Sequence, residues 1–478
     1  MSRYVNAKDF GAKGDGIQDD SVFIANAIES ISTSGGVVFL PPGIYRMCSG
    51  ITVKTGITIE GTTTATTGPW QNFLDASDKG CDIGIDRDTC GTQWLDKKFY
   101  KGTWILAENG EGDINSDPTF SMQGNTAIRK IGFVNKFSPP VSKTLTPCPP
   151  VIGAKNSASA PYCRDGITVE DISLANCYYG IAFYAGDDLA CMYEDEPVGV
   201  SHGRHRIHNI MGAPLYCGIL VKGILDTIDI HNIQFNYSCY EKNHVAARAQ
   251  NATDILIGRA DGINMSNVLS FGAYHGFKTV PAFDARTVSV RMSNINLEGC
   301  VPLSITSNGV YEASNVYLLT LNFAANLGHE KFRCFELKQD AKCIHQPFYV
   351  FNNFVCQNSF LGKGEDSAIL DVELVRNSTV TLTNSQFWGW NGESSVVHFK
   401  KAEKLPASLV LSNVTFTSDM YEGHLAKVSG EGLQNGDLRF VSCRIPKAFA
   451  DEADKKIWFD SCVTFDKNGS NTCLSRCE

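Results

Sequence analysis

The sequence predicts an all-β fold: a right-handed parallel β-helix with a short N-terminal capping helix and long loop insertions. A short pattern recurs along the middle of the chain: apolar, polar, apolar, polar, Asn, then Ile or Val. Its copies are spaced by roughly 20 to 35 residues, the range of solenoid repeats. An amphipathic, helix-like segment precedes them, as expected where a solenoid must close its open end. The 43% hydrophobic content is sufficient for an extended core.

The first 36 residues are predicted to form the cap. Residues 6–16 are rich in turn-forming side chains. Asp19 and Asp20 offer N-terminal capping groups, and the apolar residues between Phe23 and Ile31 fall on one helical stripe. We therefore expect a helix near 19–33, followed by short strands from residue 37.

This N-terminal region resembles that of the pectate-lyase-like β-helix proteins, and most of all the phage tailspike and capsule depolymerase members. The residues that carry the resemblance are Lys-Asp-Phe-Gly-Ala-Lys-Gly-Asp-Gly at 8–16, Asp-Asp at 19–20 and Val-Phe-Leu-Pro-Pro-Gly-Ile-Tyr at 38–45. The resemblance implies the fold rather than one reaction, because such proteins include hydrolases, lyases and plain binding proteins.

Period-2 alternation within each repeat predicts strands, and the shared position of the Asn in each coil predicts a stacked, hydrogen-bonded ladder. The best copies of the pattern place this Asn at Asn209, Asn232, Asn267 and Asn294. The predicted organisation is a cap over 1–36, a β-helix over 37–465 and a tail over 466–478. Gly-, Pro- and polar-rich insertions are expected at about 62–124 and 138–164.

Six of the 17 cysteines recur at matching places in the coils: Cys177, Cys217, Cys239, Cys300, Cys443 and Cys462. Stacked free thiols in a narrow core are favoured over disulfides for these six. The close pairs Cys81/Cys90, Cys148/Cys163 and Cys473/Cys477 could instead bridge loops and the tail.

The repeat register predicts one outward polar patch. Because adjacent coils lie about 4.8 Å apart, the outward side chains of neighbouring coils should meet. The patch would contain Glu170, Arg206, His208, Asp229 and His231. It is either a solvated sheet face with cross-strand ion pairs or a glycan groove with acid and base groups.

A second cluster follows the strand that ends at Tyr184. The acidic loop after it contains Asp187, Asp188, Glu194, Asp195 and Glu196 and is followed by His202 and His205. Such a concentration can provide one carboxylic acid and one ionised partner. An ordinary acidic loop and a calcium site remain alternatives, but no metal is assigned.

Aromatic and basic side chains supply further candidates for binding. Trp388 and Trp390 would share one face of a strand, as an exposed platform for sugar rings or as buried core residues. Lys222, Arg248 and Lys278 would suit an anionic glycan or be independent surface groups.

Other function classes find no support in the sequence. The formal charge of −9 indicates no nucleic-acid partner, and no apolar run is long enough for membrane insertion. No cofactor is predicted, since phosphate-binding and dinucleotide motifs are missing from the sequence.

The leading hypothesis is a polysaccharide depolymerase, similar to tailspikes, that hydrolyses glycosidic bonds of a bacterial surface glycan. Asp187 or Asp188 would act with Asp229 or Glu170, with Glu194 as a further candidate. Arg206, His208, His231, Tyr184, Trp388, Trp390 and Lys222 would bind substrate. The alternatives are a secreted polysaccharide lyase and a non-catalytic adhesin or structural virion protein.

The resemblance to tailspikes also implies an assembly and a location. We expect a homotrimer, placed on a phage virion tail through other tail proteins or free in the extracellular space. A secretory signal peptide is not evident at the N-terminus.

Overall fold

The chain was analysed as a computed structural model. It describes residues 3–66, 100–138, 145–156, 164–190, 202–236, 242–281, 288–321, 332–343, 346–358, 367–388, 395–402, 405–417, 424–429, 434, 436–447, 450, 456–466 and 470–476. Within these ranges no helix is long and apolar enough to span a membrane.

The chain divides into two units, the first with residues 1–264 and 269–271 and the second with residues 265–268 and 272–478. In the first unit, parallel strands stack coil upon coil in two sheets. Sheet A contains β1 (Arg3–Asn6), β2 (Asp15–Asp19), β3 (Gly36–Phe39), β4 (Gly43–Met47), β6 (Ile57–Glu60), β7 (Thr103–Ala107), β9 (Ala127–Asn135), β11 (Thr168–Leu174), β13 (His205–Gly212) and β15 (Ile224–Asn236). Sheet B contains β5 (Ile51–Val53), β8 (Phe120–Met122), β10 (Pro150–Asn156), β12 (Tyr179–Ala185), β14 (Cys217–Lys222) and β16 (Thr253–Ile257).

The second unit also contains parallel strands of a sheet A and a sheet B, and β17 (Ala260–Ala273) has residues in both units. Its sheet A contains β19 (Val288–Gly299), β21 (Gly309–Thr320), β23 (Phe348–Asn358), β25 (Ser378–Thr383), β26 (Gln386–Trp388), β28 (Ala407–Ser412), β29 (Thr415–Phe416), β31 (Leu438–Val441), β32 (Arg444–Pro446), β33 (Ile457–Phe465) and β34 (Asn471–Arg476). Its sheet B contains β18 (His275–Thr279), β20 (Leu303–Ile305), β22 (Arg333–Lys338), β24 (Ala368–Leu374), β27 (Ser395–Lys401) and β30 (His424–Ser429). The predicted parallel β-helix is confirmed.

Each long strand of sheet A bends at one residue in the left-handed region. In β13 this residue is Asn209, with φ 56°. Inward positions His205 and Ile207 precede it and Ile210 follows it, so two successive residues face outward at the bend. Asn adopts positive φ more readily than other side chains with a Cβ, which explains its recurrence at this corner.

The corner asparagines form the predicted ladder within each unit. Each side-chain amide donates to the corner oxygen of the preceding coil. The donor–acceptor distances are 3.1 Å for Asn209 to Asp171, 2.8 Å for Asn232 to Asn209, 3.4 Å for Asn294 to Asn267, 3.2 Å for Asn315 to Asn294 and 2.7 Å for Asn353 to Asn315.

The cap motif shapes the backbone. The helix α1 spans Ser21–Ser30, within the predicted 19–33. Asp20 does not cap it with its side chain; instead its carboxylate accepts from the backbone N–H groups of Lys13 at 2.8 Å and Gly14 at 3.0 Å. At Gly14, which has φ 62°, a Cβ would lie 2.9 Å from the Tyr45 ring. These motif residues therefore specify how the β-helix begins, and they do not indicate a particular reaction.

Strands also occur within the predicted cap, insertions and tail. Strands β1 and β2 lie inside the predicted cap, and β34 in the predicted tail pairs antiparallel with β33. The predicted insertions contain β7, β8 and β10, because short apolar runs such as that of β7 were outweighed by surrounding Gly, Pro and polar residues. A second helix, α2 (Lys242–Asn251), follows β15.

The recurring cysteines are buried free thiols, as predicted for five of the six: Cys177, Cys217, Cys300, Cys443 and Cys462. Cys239 lies outside the described residues. The suggested loop and tail bridges are not supported at Cys148 and Cys473, whose thiols are free.

Candidate functional site

The predicted polar patch is assembled on sheet A of the first unit. The strand register aligns Glu170 with His208 and His208 with His231. The neighbouring row aligns Arg206 with Asp229. Three successive coils, β11, β13 and β15, thus present all five side chains on one outer face, as the sequence predicted.

Contacts within and beside the patch are polar. The His208 and His231 rings meet edge to face with centroids 5.9 Å apart. Asn264 Nδ2 donates to Asp229 Oδ1 at 3.0 Å. Arg206 and His231 are exposed, so the face is open to a large ligand.

The acidic loop lies elsewhere, after β12 of sheet B. Asp187 forms an ion pair with Lys155 at 2.8 Å. Asp188 Oδ1 accepts from Asn115 Nδ2 at 3.2 Å and from the backbone of Ala190 at 3.0 Å. Both residues are exposed. Glu194 lies outside the described residues, as do Asp195 and Glu196.

Tyr184 and Lys222 are buried, which contradicts the prediction that their side chains contact substrate. Tyr184 is 1% exposed and packs with Leu189 and Leu220 on the outer face of sheet B. Lys222 is fully buried, and its Nζ donates to the backbone oxygen of Asp188 at 2.7 Å. The residues that follow β12 cover both side chains, although both point away from the core.

The two histidines near the acidic loop are also buried, contrary to a role in a solvent-exposed cluster. The Ile167 backbone N–H donates to His205 Nδ1 at 3.3 Å, and His205 Nε2 lies 3.1 Å from His202 Nδ1. This arrangement requires neutral rings. Burial, followed by the Arg164 guanidinium, lowers the pKa of His202 to about 4, and burial also lowers the pKa of His205.

Of the remaining candidate binding residues, the structure describes Arg248 and Trp388 but not Trp390. Arg248 is buried in α2 and forms an ion pair with Asp254, with NH2–oxygen distances of 3.0 and 3.2 Å. Trp388 is half-buried at the end of β26. Trp390 lies outside the described residues, so the proposed pair of rings cannot be described.

A charged row on sheet B of the second unit was missed by the sequence reasoning, apart from Lys278. The register places five outward residues in line: Lys278, Ser304, Glu336, Asp371 and His398. Arg333 and Lys338 of β22 pair with the carboxylates of this row. The described strands of sheet B contain no corner asparagine that marks the same position in each coil. The sequence alone therefore did not indicate which residues of neighbouring strands align in this sheet.

No group of three or more His, Cys, Asp or Glu side chains suited to a metal ion occurs among the residues that the structure describes. The described titratable side chains of the two polar surfaces are carboxylates, imidazoles, ammonium and guanidinium groups.

Comparisons in sequence find similarity at the N-terminal end. Residues 4–69 match the family described as rhamnogalacturonase A/epimerase, pectate lyase-like. The mannuronan C5-epimerase AlgE6 of Azotobacter vinelandii is 56% identical over 43 residues, 9% of this chain and 5% of that protein. Alginate lyase 7 of the same organism is 47% identical over 55 residues, 11% of this chain and 6% of that protein. The matches therefore span only a small part of these relatives.

In structure, the chain is similar to the pre-mature gene product 12 of bacteriophage phi29, with a TM-score of 0.54 and 14% sequence identity. The match covers 98% of this chain and 58% of the phage protein, and at this identity it concerns the fold alone. The resemblance to the pectate-lyase-like β-helix proteins is thus confirmed, in sequence over residues 4–69 and in fold along the chain.

Proposed function

We propose that this chain is a polysaccharide depolymerase that hydrolyses a bacterial surface glycan on sheet A of its first unit. The observation that carries the proposal is the alignment of Glu170, His208 and His231 in one row beside Arg206 and Asp229 in the next. A row that runs from coil to coil is suited to a long polymer, which can be contacted at several successive positions.

Glycoside hydrolysis needs two carboxyl groups, one that protonates the leaving oxygen and one that activates water or attacks the sugar. Glu170 on β11 and Asp229 on β15 are two coil steps apart and are offset by two residues along the strand direction, which corresponds to about 12 Å between their Cα positions. This separation is closer to the roughly 6.5–9.5 Å of inverting enzymes than to the roughly 5 Å of retaining ones. Water would therefore enter between the two carboxyl groups.

The neighbours suggest which carboxyl group has which role. Asp229 accepts a hydrogen bond from Asn264 and lies in register with Arg206 on the adjacent strand. We assign it as the base. Glu170 is aligned with His208, which can exchange a proton with it, so Glu170 is the acid.

The relatives support a glycan substrate. Two proteins similar to the N-terminal segment are named as a mannuronan epimerase and an alginate lyase. The similar phage protein supports the virion setting. The proposed enzyme is therefore either tailspike-like and located on a virion tail, or free in the extracellular space.

The test is release of reducing ends from a panel of bacterial capsules and lipopolysaccharides. Glu170→Gln and Asp229→Asn should each lower the rate by about 10²–10⁴-fold. Glu312→Gln is the matched control, because Glu312 is an exposed carboxylate on sheet A of the second unit. It should retain the wild-type rate.

The same assay separates the rival assignments. Loss of activity in Asp187→Asn, Asp188→Asn or Glu194→Gln, with Glu170→Gln active, would move the site to the acidic loop. New absorbance from an unsaturated product would identify a lyase. Glycan binding without any bond cleavage would identify a non-catalytic adhesin or structural virion protein and refute the depolymerase.

We also propose a homotrimer, since β-helix side faces can pack in threes. Light scattering should give about three times the chain mass of 52.2 kDa. A mass near that of a single chain would refute the trimer without affecting the assignment of the site.

A further inference from the structure

One cluster of described residues on the outer face of sheet B in the second unit contains more positive than negative groups. Glu336 and Asp371 face each other on adjacent strands. Around them stand three cations, Lys278, Arg333 and Lys338. We refer to these five residues as the second-unit cluster. One positive charge is therefore left without a carboxylate.

The two carboxylates are already occupied. Arg333 and Lys338 form ion pairs with Asp371 and Glu336 respectively, and Lys338 Nζ also lies 3.6 Å from Asp371 Oδ2. Ser304 Oγ donates to Glu336 at 2.8 Å. Both carboxylate side chains are only 13–14% exposed. Burial alone would raise the pKa of Glu336, but Lys338 and Ser304 bring it below its ordinary value.

Lys278 is the cation without a partner. It lies in the same row as Ser304 and Glu336, is half-buried, and makes no hydrogen bond or ion pair with any residue that the structure describes. Burial lowers its pKa; Glu336 opposes this shift and Lys338 adds to it. Because Glu336 already forms an ion pair with Lys338, it only partly balances the charge of this half-buried ammonium group, so an anionic ligand that reached Lys278 would be bound favourably.

An aromatic ring completes the surroundings. Tyr274 immediately precedes β18 and is half-buried; burial raises the pKa of its phenol, Cys300 and Glu336 add to this shift, and Arg333 opposes it. A phenol ring next to charged side chains presents both an apolar surface and a hydrogen-bonding tip, a combination suited to a sugar ring.

We propose that the second-unit cluster binds a negatively charged sugar residue, whose anionic group pairs with Lys278 while Tyr274 contacts the ring. The inference rests on the proposed function only in taking the ligand to be a glycan. The anionic group is a carboxylate, a sulfate ester or a phosphodiester. All three have oxygen atoms that can accept from an ammonium group.

Direct binding tests this site without catalysis. Isothermal titration of the full chain uses three probes: an oligouronate, a sulfated oligosaccharide and inorganic phosphate. The probe that binds identifies the anionic group. For the oligouronate, a carboxyl-reduced counterpart of equal length should bind markedly more weakly, and binding of the charged form should weaken as salt rises.

Variants then locate the contact. Lys278→Gln should weaken binding of the charged probe by roughly 10- to 100-fold, as expected for loss of a hydrogen bond to a charged group. Lys278→Arg should retain most of the affinity, and this excludes a general defect in folding. Arg291→Gln is the control, because Arg291 is an exposed cation on sheet A of the same unit. It should bind as the wild type does.

Three results would overturn the proposal: no binding of any probe, equal affinity for charged and reduced forms, or equal losses in Lys278→Gln and Arg291→Gln. Failure of the proposed function is distinguishable from each. A chain that cleaves a neutral glycan but binds no anionic probe keeps the depolymerase and refutes this site. A chain that binds the charged probe through Lys278 and releases no reducing ends supports this site and refutes the depolymerase.

Discussion

The outward row of sheet B differs between the two units. In the first unit the row contains Lys155, Tyr184 and Lys222, and the latter two are buried beneath the residues that follow β12. In the second unit the row contains Lys278, Ser304, Glu336, Asp371 and His398. Outward positions of sheet B therefore lie in a covered layer in one unit and on a charged surface in the other.

The difference separates two properties that are easily confused. Strand register determines whether a side chain points away from the core. What lies over the sheet determines whether that side chain meets solvent. Tyr184 points outward yet packs with Leu189 and Leu220, so it behaves as a core residue.

The largest expected effect is in the covered region of the first unit. Arg248→Met would leave the buried Asp254 carboxylate without its cation and should destabilise the chain by about 3–5 kcal/mol. Arg291→Gln removes an exposed ion pair of the second unit and should cost less than about 1 kcal/mol. Urea denaturation measures both. Similar losses of unfolding free energy in the two variants would contradict the distinction between the covered and the exposed region.

Tyr184→Ala should cost about 3 kcal/mol or more, because it removes a large buried ring. Lys278→Gln, at an outward, half-buried position of sheet B in the second unit, should change the free energy of unfolding far less. If Tyr184→Ala unfolds at the wild-type urea midpoint but lowers glycan binding, Tyr184 contacts substrate as the sequence first suggested.

The histidines sharpen the comparison through pH. His202 and His205 have lowered pKa values in the folded chain, near 4 for His202. As pH falls below about 6.5, the unfolded chain takes up protons that the folded chain cannot, so stability decreases until the folded pKa is reached. Each histidine contributes a slope of up to about 1.4 kcal/mol per pH unit.

The measurement is the urea midpoint at several pH values between 7.5 and 4.5. His205→Gln should reduce the slope, whereas Arg291→Gln, which removes an exposed side chain that does not titrate in this pH range, should leave it nearly unchanged. Parallel slopes in the wild type and His205→Gln would show that the buried pair does not control acid stability.

The smallest effect concerns the corners. Asn315 has φ 57° and hydrogen bonds to Asn294 and Asn353. Asn315→Ala should cost about 1–2 kcal/mol from the left-handed conformation, in addition to the lost hydrogen bonds. Asn315→Gly relieves the conformational part and should be milder. Equal thermal shifts for the two variants would mean that the hydrogen bonds alone matter.

The corners explain why the fold was predictable. Asn209 and Asn232 mark the same phase of successive coils, and from that phase the patch of Glu170, His208 and His231 follows directly. The burial of Tyr184 and Lys222 was not predictable, because the repeat pattern does not indicate that Asp188 and Leu189 pack back over sheet B. The charged row of sheet B was missed for a related reason: its strands lack a marker like the corner asparagine.

The corner also bears on how such a chain can change in length. Asn294 and Asn315 are 21 residues apart, and Asn315 and Asn353 are 38 residues apart, yet both pairs stack. Stacking therefore requires that each coil bends at the same phase of its strand, and it does not require a fixed number of residues per coil. Additions between bends enlarge loops without reversing which side chains face inward, whereas a single residue inserted within a strand would exchange its two faces. Loops can therefore diversify while the stacked coils persist.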